Sequence, residues 1–322
     1  MKVIYHLGYP RTGTTYLQKN LFPLHSEINY VGPKDYIQSH QTALTLQKLD
    51  LLGNIYTSKE IEDDKYDLNE LKKIIDIEKF SKDKINIVSS ERYTMFTNIN
   101  EFNDIKLLNK FLKSFYPNLE VEFLIVLRNQ YDLIKSLYFH KYRWISKILN
   151  IKNFNEFVKF LRKDLPFNTD NYLFLNFIKN FNFLYMNDKI ETIFPKSKIN
   201  YLKFETLGEN KEAFFSDISK ILNINEKETL EISEKKPENV SNKGAIRNIY
   251  RSSFIITFLN FSLFLKLKKI IPNSFKTILV NILNLFTKNF KKTNEDEKIK
   301  IFFEYFLESN EKFYDKTKIK YF

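Results

Sequence analysis

Residues 8 to 17, GYPRTGTTYL, combine glycines, hydroxyls and one cation in the spacing of a phosphate-binding loop. Gly8 and Gly13 are spaced as in the pattern G-x-x-x-x-G-K-[ST], but Thr14 replaces the lysine and Arg11 supplies the positive charge. In a strand-loop-helix unit, the backbone N–H groups of such a loop and the helix dipole converge on one anion. We therefore predict that this segment binds a phosphate. The expected contacts are Arg11, Thr12, Gly13, Thr14 and Thr15.

A second anion-binding pair follows the apolar run VEFLIVLRN (121–129). In P-loop NTPases, an Asp at the end of a neighbouring strand holds magnesium. Here that position is occupied by Arg128, so we predict that side chains, and not a metal ion, neutralise the ligand. Ser136 lies eight residues later, about two helical turns further on, where it could bind a separate phosphate together with Arg128. The pattern predicts a ligand with two separate phosphate groups and no magnesium.

One carboxylate follows another predicted strand. KINIVSSE (84–91) ends in Glu91, at the sheet edge where open α/β folds bind ligands, so Glu91 is a candidate general base. An ion pair with Arg92, or a cap on the next helix, explains the same carboxylate equally well. Among the histidines, His6 alternates with apolar residues and is expected in the core, whereas His140 lies on a predicted helix surface that could approach the ligand.

Four apolar runs, separated by amphipathic segments, must position these residues. The runs are 2–8, 84–91, 121–129 and 198–205, and the amphipathic segments are 68–80, 105–115, 131–149 and 211–224. Runs such as FLIVL, which are apolar on both faces, suit central parallel strands covered by helices. The alternation predicts an α/β fold: a doubly wound parallel sheet flanked by helices, P-loop-like, with a mainly helical C-terminal extension.

The composition narrows the classes of ligand. A formal net charge of +12 and a pI near 9.3 favour an anionic partner. The chain has no cysteine, which excludes disulfides and thiolate metal sites, and its four histidines are scattered, so we expect no metal site. The N-terminal stretch lacks the basic and apolar regions of a secretory signal, so we expect a cytoplasmic protein.

The composition changes after about residue 240. From Val240 to Lys292, Lys and Arg recur among aromatic and aliphatic residues while Asp and Glu are absent. The uncharged stretch 252–265 is shorter than the roughly 20 residues of a membrane span. Two hypotheses remain open for 252–292: helices packed on the core, or peripheral contact with the inner face of a membrane. We predict a core domain, 1–240, and a basic, aromatic helical part, 241–322, packed on it.

Taken together, these motifs resemble those of sulfotransferases of the bacterial type that use 3′-phosphoadenosine 5′-phosphosulfate (PAPS). YPRTGTTYL is similar to the family's 5′-phosphosulfate loop, and VLRNQYDLIKSLYFHKYR is similar to its 3′-phosphate motif. YLKFETLGENKEAFFSDISKILNI resembles a later strand-turn-helix segment. The resemblance covers residues 1 to about 224 in order. It implies PAPS as the donor, adenosine 3′,5′-bisphosphate as the product, and no required metal.

The resemblance also implies roles for single residues. Arg11 stands at the family's usual lysine and would stabilise charge on the leaving phosphate, while Glu91 would take the acceptor's proton. Because arginine stays protonated in proteins, we assign Arg11 electrostatic stabilisation and not acid catalysis. NVSNKGAIR (239–247) is similar to the family's late loop over the 3′-phosphate, with Lys243 and Gly244 as contacts, although Asn242 replaces the usual arginine.

The predicted reaction is sulfuryl transfer to a hydroxyl or amine of a glycan, a glycolipid or a similar acceptor. A P-loop kinase with a displaced cation is an alternative that would require ATP and magnesium. A catalytically inactive nucleotide-binding module is another. The charge and the 19 tyrosines also suit a nucleic-acid-binding protein, whose affinity would fall steeply with salt, but the two phosphate motifs lead us to expect no nucleic-acid partner.

Overall fold

The structure is a computed structural model that divides into two compact units. It describes residues 1–9, 11–32, 44, 46–91, 94, 102–134, 136, 138, 181–234 and 295–319, with the side chains of the last range described from 306 onward. The first unit comprises Met1–Gln130, Asp170–Lys236 and Ser309–Phe322, and the second comprises Tyr131–Thr169 and Pro237–Glu308. The boundary expected near residue 240 stays a prediction.

The first unit is built on a five-stranded parallel sheet. Its strands are β1 (Lys2–Gly8), β2 (Ile28–Tyr30), β3 (Ile85–Ser90), β4 (Glu120–Leu127) and β5 (Lys198–Lys203), in the order β2-β3-β1-β4-β5. Leu7 lies opposite Ser90 of β3, and Gly8 lies opposite Val126 of β4. The four longer strands coincide with the predicted apolar runs. β2 was not predicted, because three residues at the sheet edge are too few to show a pattern.

Helices fill the connections between the strands and also follow the last strand, β5. They are α1 (Thr14–Tyr16), which continues into a π-helix (Leu17–Leu21), α2 (Leu46–Asn54), α3 (Ser58–Glu62), α4 (Leu68–Ile74), a 3₁₀ turn (Ile77–Lys79), α5 (Asn103–Phe115), α6 (Phe183–Ile193), α7 (Phe204–Glu209), α8 (Lys211–Leu222), α9 (Glu226–Ser233) and α10 (Glu295–Thr317). The helix expected over 68–80 ends early, because the Asp76 side chain accepts a hydrogen bond from the Glu78 N–H and starts the 3₁₀ turn.

Alternate strand residues pack against helices on opposite faces of the sheet. Ile4 belongs to one core together with Leu21 of the π-helix and Phe215 of α8. On the other face, the Tyr5 hydroxyl donates to Asn109 Oδ1 of α5 at 2.7 Å. Because helices cover both faces of a parallel sheet, the predicted doubly wound α/β class is confirmed.

Of the C-terminal part, the structure describes α10, a single helix of 23 residues. Residues 252–292, for which packing on the core and membrane contact were the two hypotheses, lie outside the described residues. Within the described ranges, no helix combines the length and the apolar character needed to cross a bilayer.

Candidate functional site

Three neighbouring strands end side by side, and each leads into a predicted site residue. β1 runs into the glycine loop, β3 into Glu91 and β4 into Arg128, and the three strands are adjacent in the order β3-β1-β4. Parallel neighbours lie about 4.8 Å apart, so the three segments leave the same edge within about 10 Å of one another. The fold therefore brings Arg11, Glu91 and Arg128 to one edge, the carboxyl edge where α/β sheets bind ligands.

The loop backbone has the alternating handedness of an anion-binding nest. Arg11 (φ 70°) and Gly13 (φ 78°) lie in the left-handed region, whereas Thr12 and Thr14 have negative φ. Such alternation turns successive N–H groups toward one point. Gly13 also caps α1, and the first N–H groups of a helix have no partner within it. The backbone alone therefore offers a phosphate several donors, without the lysine of a nucleotide-hydrolysing P-loop.

Gly8 is needed because Thr14 packs against it. A Cβ on Gly8 would lie 2.3 Å from Thr14 Oγ1 and 2.6 Å from Thr14 Cγ2. We expect Gly8→Ala to lower the free energy of unfolding by about 1–3 kcal/mol, because the start of α1 must move. Gly208→Ala is the matched control: nothing lies within 4 Å of its added Cβ in α7, and it should raise stability by up to about 1 kcal/mol. Denaturant unfolding measures both, and a Gly8→Ala protein as stable as the wild type would contradict this packing.

The hydroxyls of two loop threonines point into the loop. Thr12 Oγ1 donates to the Tyr9 carbonyl at 2.6 Å, and Thr14 Oγ1 donates to the same oxygen at 3.3 Å. Both side chains are buried, whereas Thr15 is partly buried. In this arrangement the two hydroxyls hold the loop in shape from inside, a role that the sequence did not indicate. Direct contact of these threonines with a phosphate stays a prediction.

Arg128 is fixed against the glycine loop. Its Nη1 donates to the Arg11 carbonyl at 3.0 Å, and its Cζ lies 5.0 Å from the centre of the Phe204 ring. The N–H of the next residue, Asn129, donates to Glu205 Oε1 at 2.7 Å. Arg128 is partly buried and Arg11 is exposed.

Glu91 lies directly after β3, partly buried, in a turn that Thr94 closes. The Thr94 N–H donates to the Glu91 carbonyl at 3.3 Å, and Thr94 Oγ1 lies 3.1 Å from that oxygen and 2.8 Å from the Gly8 carbonyl. Buried Thr94 therefore ties the turn that carries Glu91 to the start of the glycine loop. Nothing in the sequence singles out Thr94, because a threonine shortly after a strand is common. Arg92, the alternative partner of Glu91, lies outside the described residues.

For four predicted residues, placement beside the loop stays a prediction. Ser136 belongs to the second unit, where it is helical and partly buried. Lys243, Gly244 and His140 lie outside the described residues. Within the part of the chain that is described, no three His, Asp or Glu side chains group as metal ligands.

His6 is a core residue of β1, as its alternation with apolar neighbours predicted. Its Nδ1 lies 2.7 Å from Ser89 Oγ, which accepts a hydrogen bond from Gln18 Nε2 at 3.0 Å. Its Nε2 is buried and has no hydrogen-bond partner among the described residues. Burial lowers the pKa of His6 to about 3, so the ring is neutral near pH 7 and does not accept a proton there. His6 is therefore unsuited to be the general base.

We expect His6 to make the protein less stable in acid. In the unfolded chain His6 binds a proton below about pH 6.5, but its pKa in the folded protein is about 3. Between these two pH values the unfolded chain binds one more proton than the folded protein. The contribution of His6 to the free energy of unfolding therefore falls by about 1.4 kcal/mol for each unit by which the pH drops. Above about pH 6.5 this contribution is constant. Denaturant unfolding at about pH 7.5, 5.5 and 4.5 should show a shallower decline for His6→Gln than for the wild type. If the free energy of unfolding declines equally with pH in both proteins, His6 does not contribute to the loss of stability in acid.

Comparisons with known proteins give two structural likenesses. No protein-family model matches the chain, and no curated protein matches it significantly. A sulfotransferase from Alicyclobacillus acidocaldarius, known from its crystal structure, is 15% identical with a TM-score of 0.41, over 69% of this chain and 81% of that one. The sulfotransferase domain from the curacin biosynthetic pathway is 13% identical with a TM-score of 0.38, over 74% and 78%. Likenesses at this level do not bear on substrate or activity.

Proposed function

We propose that the chain is a sulfotransferase that moves a sulfuryl group from PAPS to a hydroxyl or amine of a glycan, a glycolipid or a similar acceptor. One observation carries the proposal: a phosphate nest without a lysine lies beside an arginine that donates to its backbone, Arg128 to the Arg11 carbonyl at 3.0 Å. A nest and a separate guanidinium at one sheet edge suit a nucleotide with phosphate groups at two positions. The motif resemblance supports the same ligand.

Each residue at this edge has a chemical task in the proposed reaction. When bound, the nucleotide supplies the sulfuryl group, whose bond to the 5′-phosphate oxygen breaks as a bond to the acceptor oxygen or nitrogen forms. The loop N–H groups and Arg11 hold the phosphate and stabilise the negative charge left on it. Glu91 takes the proton of the acceptor hydroxyl. We assign binding of the 3′-phosphate to Arg128 and Ser136, together with Lys243 and Gly244 of the late loop.

Neutralisation of the nucleotide is assigned to side chains. β4 ends in Arg128, at the place where a P-loop NTPase has the carboxylate that helps to hold magnesium. Arg11 and Arg128 bring two positive charges to the sheet edge instead. We therefore propose a reaction that needs no metal ion, with adenosine 3′,5′-bisphosphate as its nucleotide product.

The charge of the chain supports a class of acceptor and a site of action. A net charge of +12 supports an anionic saccharide as acceptor. The basic, aromatic stretch 252–292 supports an acceptor carried on the inner face of a membrane, reached by a cytoplasmic enzyme that binds peripherally.

The test is transfer of ³⁵S from labelled PAPS, in the presence of EDTA, to a panel made of a polysaccharide, a glycolipid, a phenol and a primary amine. We expect label in at least one acceptor and equal release of adenosine 3′,5′-bisphosphate. A parallel assay with γ-labelled ATP and magnesium tests the kinase alternative. Label transferred only from ATP, and only with magnesium, would contradict the proposal.

A further inference from the structure

Two consecutive residues at the carboxyl end of β5 lie against the segment that carries Arg128. Leu127 and Lys203 are paired in the β4–β5 register, so Arg128 and Phe204 directly follow the ends of two neighbouring strands. α7 begins at Phe204 without an intervening loop. Phe204 and Glu205 therefore stand on a rigid strand-helix junction directly beside Arg128.

Phe204 lies against both Arg128 and the glycine loop. The centre of its ring lies 5.0 Å from Arg128 Cζ, a distance at which an aromatic face attracts a guanidinium. Its Cε2 would lie 3.6 Å from a Cβ on Gly13, so the ring edge also borders the glycine loop. The ring thus lies between the loop and the guanidinium, and its partial burial against the core restrains it.

Glu205 fixes the backbone on the other side of Arg128. Its Oε1 accepts from the Asn129 N–H at 2.7 Å, a short bond between a carboxylate and a backbone donor. Arg128 is therefore held by the loop carbonyl of Arg11, by the Phe204 ring and, through the next residue, by Glu205. A guanidinium restrained in this way needs to lose little freedom when it binds a phosphate.

We propose that Phe204 and Glu205 are positioning residues that hold Arg128 ready for the 3′-phosphate and so set the preference for nucleotides that carry one. The inference rests on the proposed function. Neither residue needs to touch the nucleotide, because each acts through Arg128. Loss of either should weaken the binding of a 3′-phosphorylated nucleotide selectively, while binding of the 5′-phosphate by the loop is kept.

The test compares adenosine 3′,5′-bisphosphate with adenosine 5′-monophosphate by calorimetry. The measured quantity is the Kd of the monophosphate divided by the Kd of the bisphosphate. This ratio isolates the contribution of the 3′-phosphate to binding. We expect Phe204→Leu to reduce this ratio about two- to fivefold, since a cation–π contact is lost, and Glu205→Ala to reduce it about fivefold or more. The Kd of the monophosphate should change less than about twofold.

Conservative variants separate positioning from a general effect on folding. Phe204→Tyr keeps the ring face and Glu205→Gln keeps an acceptor oxygen, so both should retain the wild-type ratio. Glu209→Ala, which removes an exposed carboxylate from the same helix, is the matched control and should also retain it.

Three outcomes would overturn the inference. An unchanged ratio in Phe204→Leu and Glu205→Ala would exclude positioning of Arg128. Equal weakening of both nucleotides would assign the two residues to the fold or to the loop. A wild-type protein that does not distinguish the two nucleotides would remove the proposed function itself, and the positioning role with it.

Discussion

Replacement of Arg11 by Ala is expected to lower kcat for sulfuryl transfer by about 100- to 1,000-fold, the loss seen when one donor to a developing anion is removed. The Arg11 side chain is exposed at the loop that holds the phosphate, whereas the nest is made of backbone N–H groups that the substitution leaves in place. Binding of adenosine 3′,5′-bisphosphate should therefore weaken by less than about tenfold. Initial rates with labelled PAPS and an acceptor found in the panel measure the effect.

The control for this variant is Arg11→Lys, which keeps a positive charge on a long side chain. Position 11 has a left-handed backbone (φ 70°) that Ala and Lys adopt equally poorly, so any strain is common to both variants. We expect Arg11→Lys to stay within about tenfold of the wild-type kcat, since a point charge replaces the guanidinium. An Arg11→Ala protein with wild-type kcat would show that Arg11 takes no part in the reaction.

Replacement of Glu91 by Gln is expected to lower kcat by about 100- to 10,000-fold, the range for loss of a general base. Gln has nearly the same size as Glu, and the turn is held by Thr94 through backbone groups, so the loop should stay in place. The affinity for adenosine 3′,5′-bisphosphate should therefore be unchanged. The measurement pairs kcat with calorimetric Kd for the same preparation.

Glu120→Gln is the matched control for Glu91→Gln. Glu120 is an exposed carboxylate at the start of β4, on the opposite edge of the sheet, and its loss should change neither kcat nor Kd. If Glu91→Gln keeps the wild-type kcat, Glu91 is not the general base, and an ion pair with Arg92 or a helix cap explains its carboxylate. His140 would then be the next candidate base.

The sheet and its functional edge could be predicted because their signals are local. Apolar runs of six to eight residues predict β3 and β4, and the glycine spacing predicts the loop. The rule that parallel strands share a carboxyl edge then places Glu91 and Arg128 beside the loop. Short helices are set by their caps instead, and one such signal was available: Thr57 and Glu60 form a capping box at α3.

The contacts that shape the site could not be predicted, because they join residues far apart in the chain. Arg128 and the Arg11 carbonyl are 117 positions apart, Thr94 and the Gly8 carbonyl 86, and Asn129 and Glu205 76. No periodic pattern encodes such pairs, since they arise only when strands β3, β1, β4 and β5 are brought into order. The inward hydroxyls of Thr12 and Thr14 are likewise a property of the folded loop.

Binding of adenosine 3′,5′-bisphosphate without magnesium is the most direct test of the proposed nucleotide site. Calorimetric titration of the wild type, Arg128→Ala and Lys198→Ala, with ATP as the competing ligand, compares the site arginine with an exposed cation at the start of β5. We expect a Kd of about micromolar in EDTA, about 100-fold weaker binding for Arg128→Ala, and no change for Lys198→Ala. Absence of binding, or tighter binding of ATP with magnesium, would contradict the assignment of this edge to PAPS.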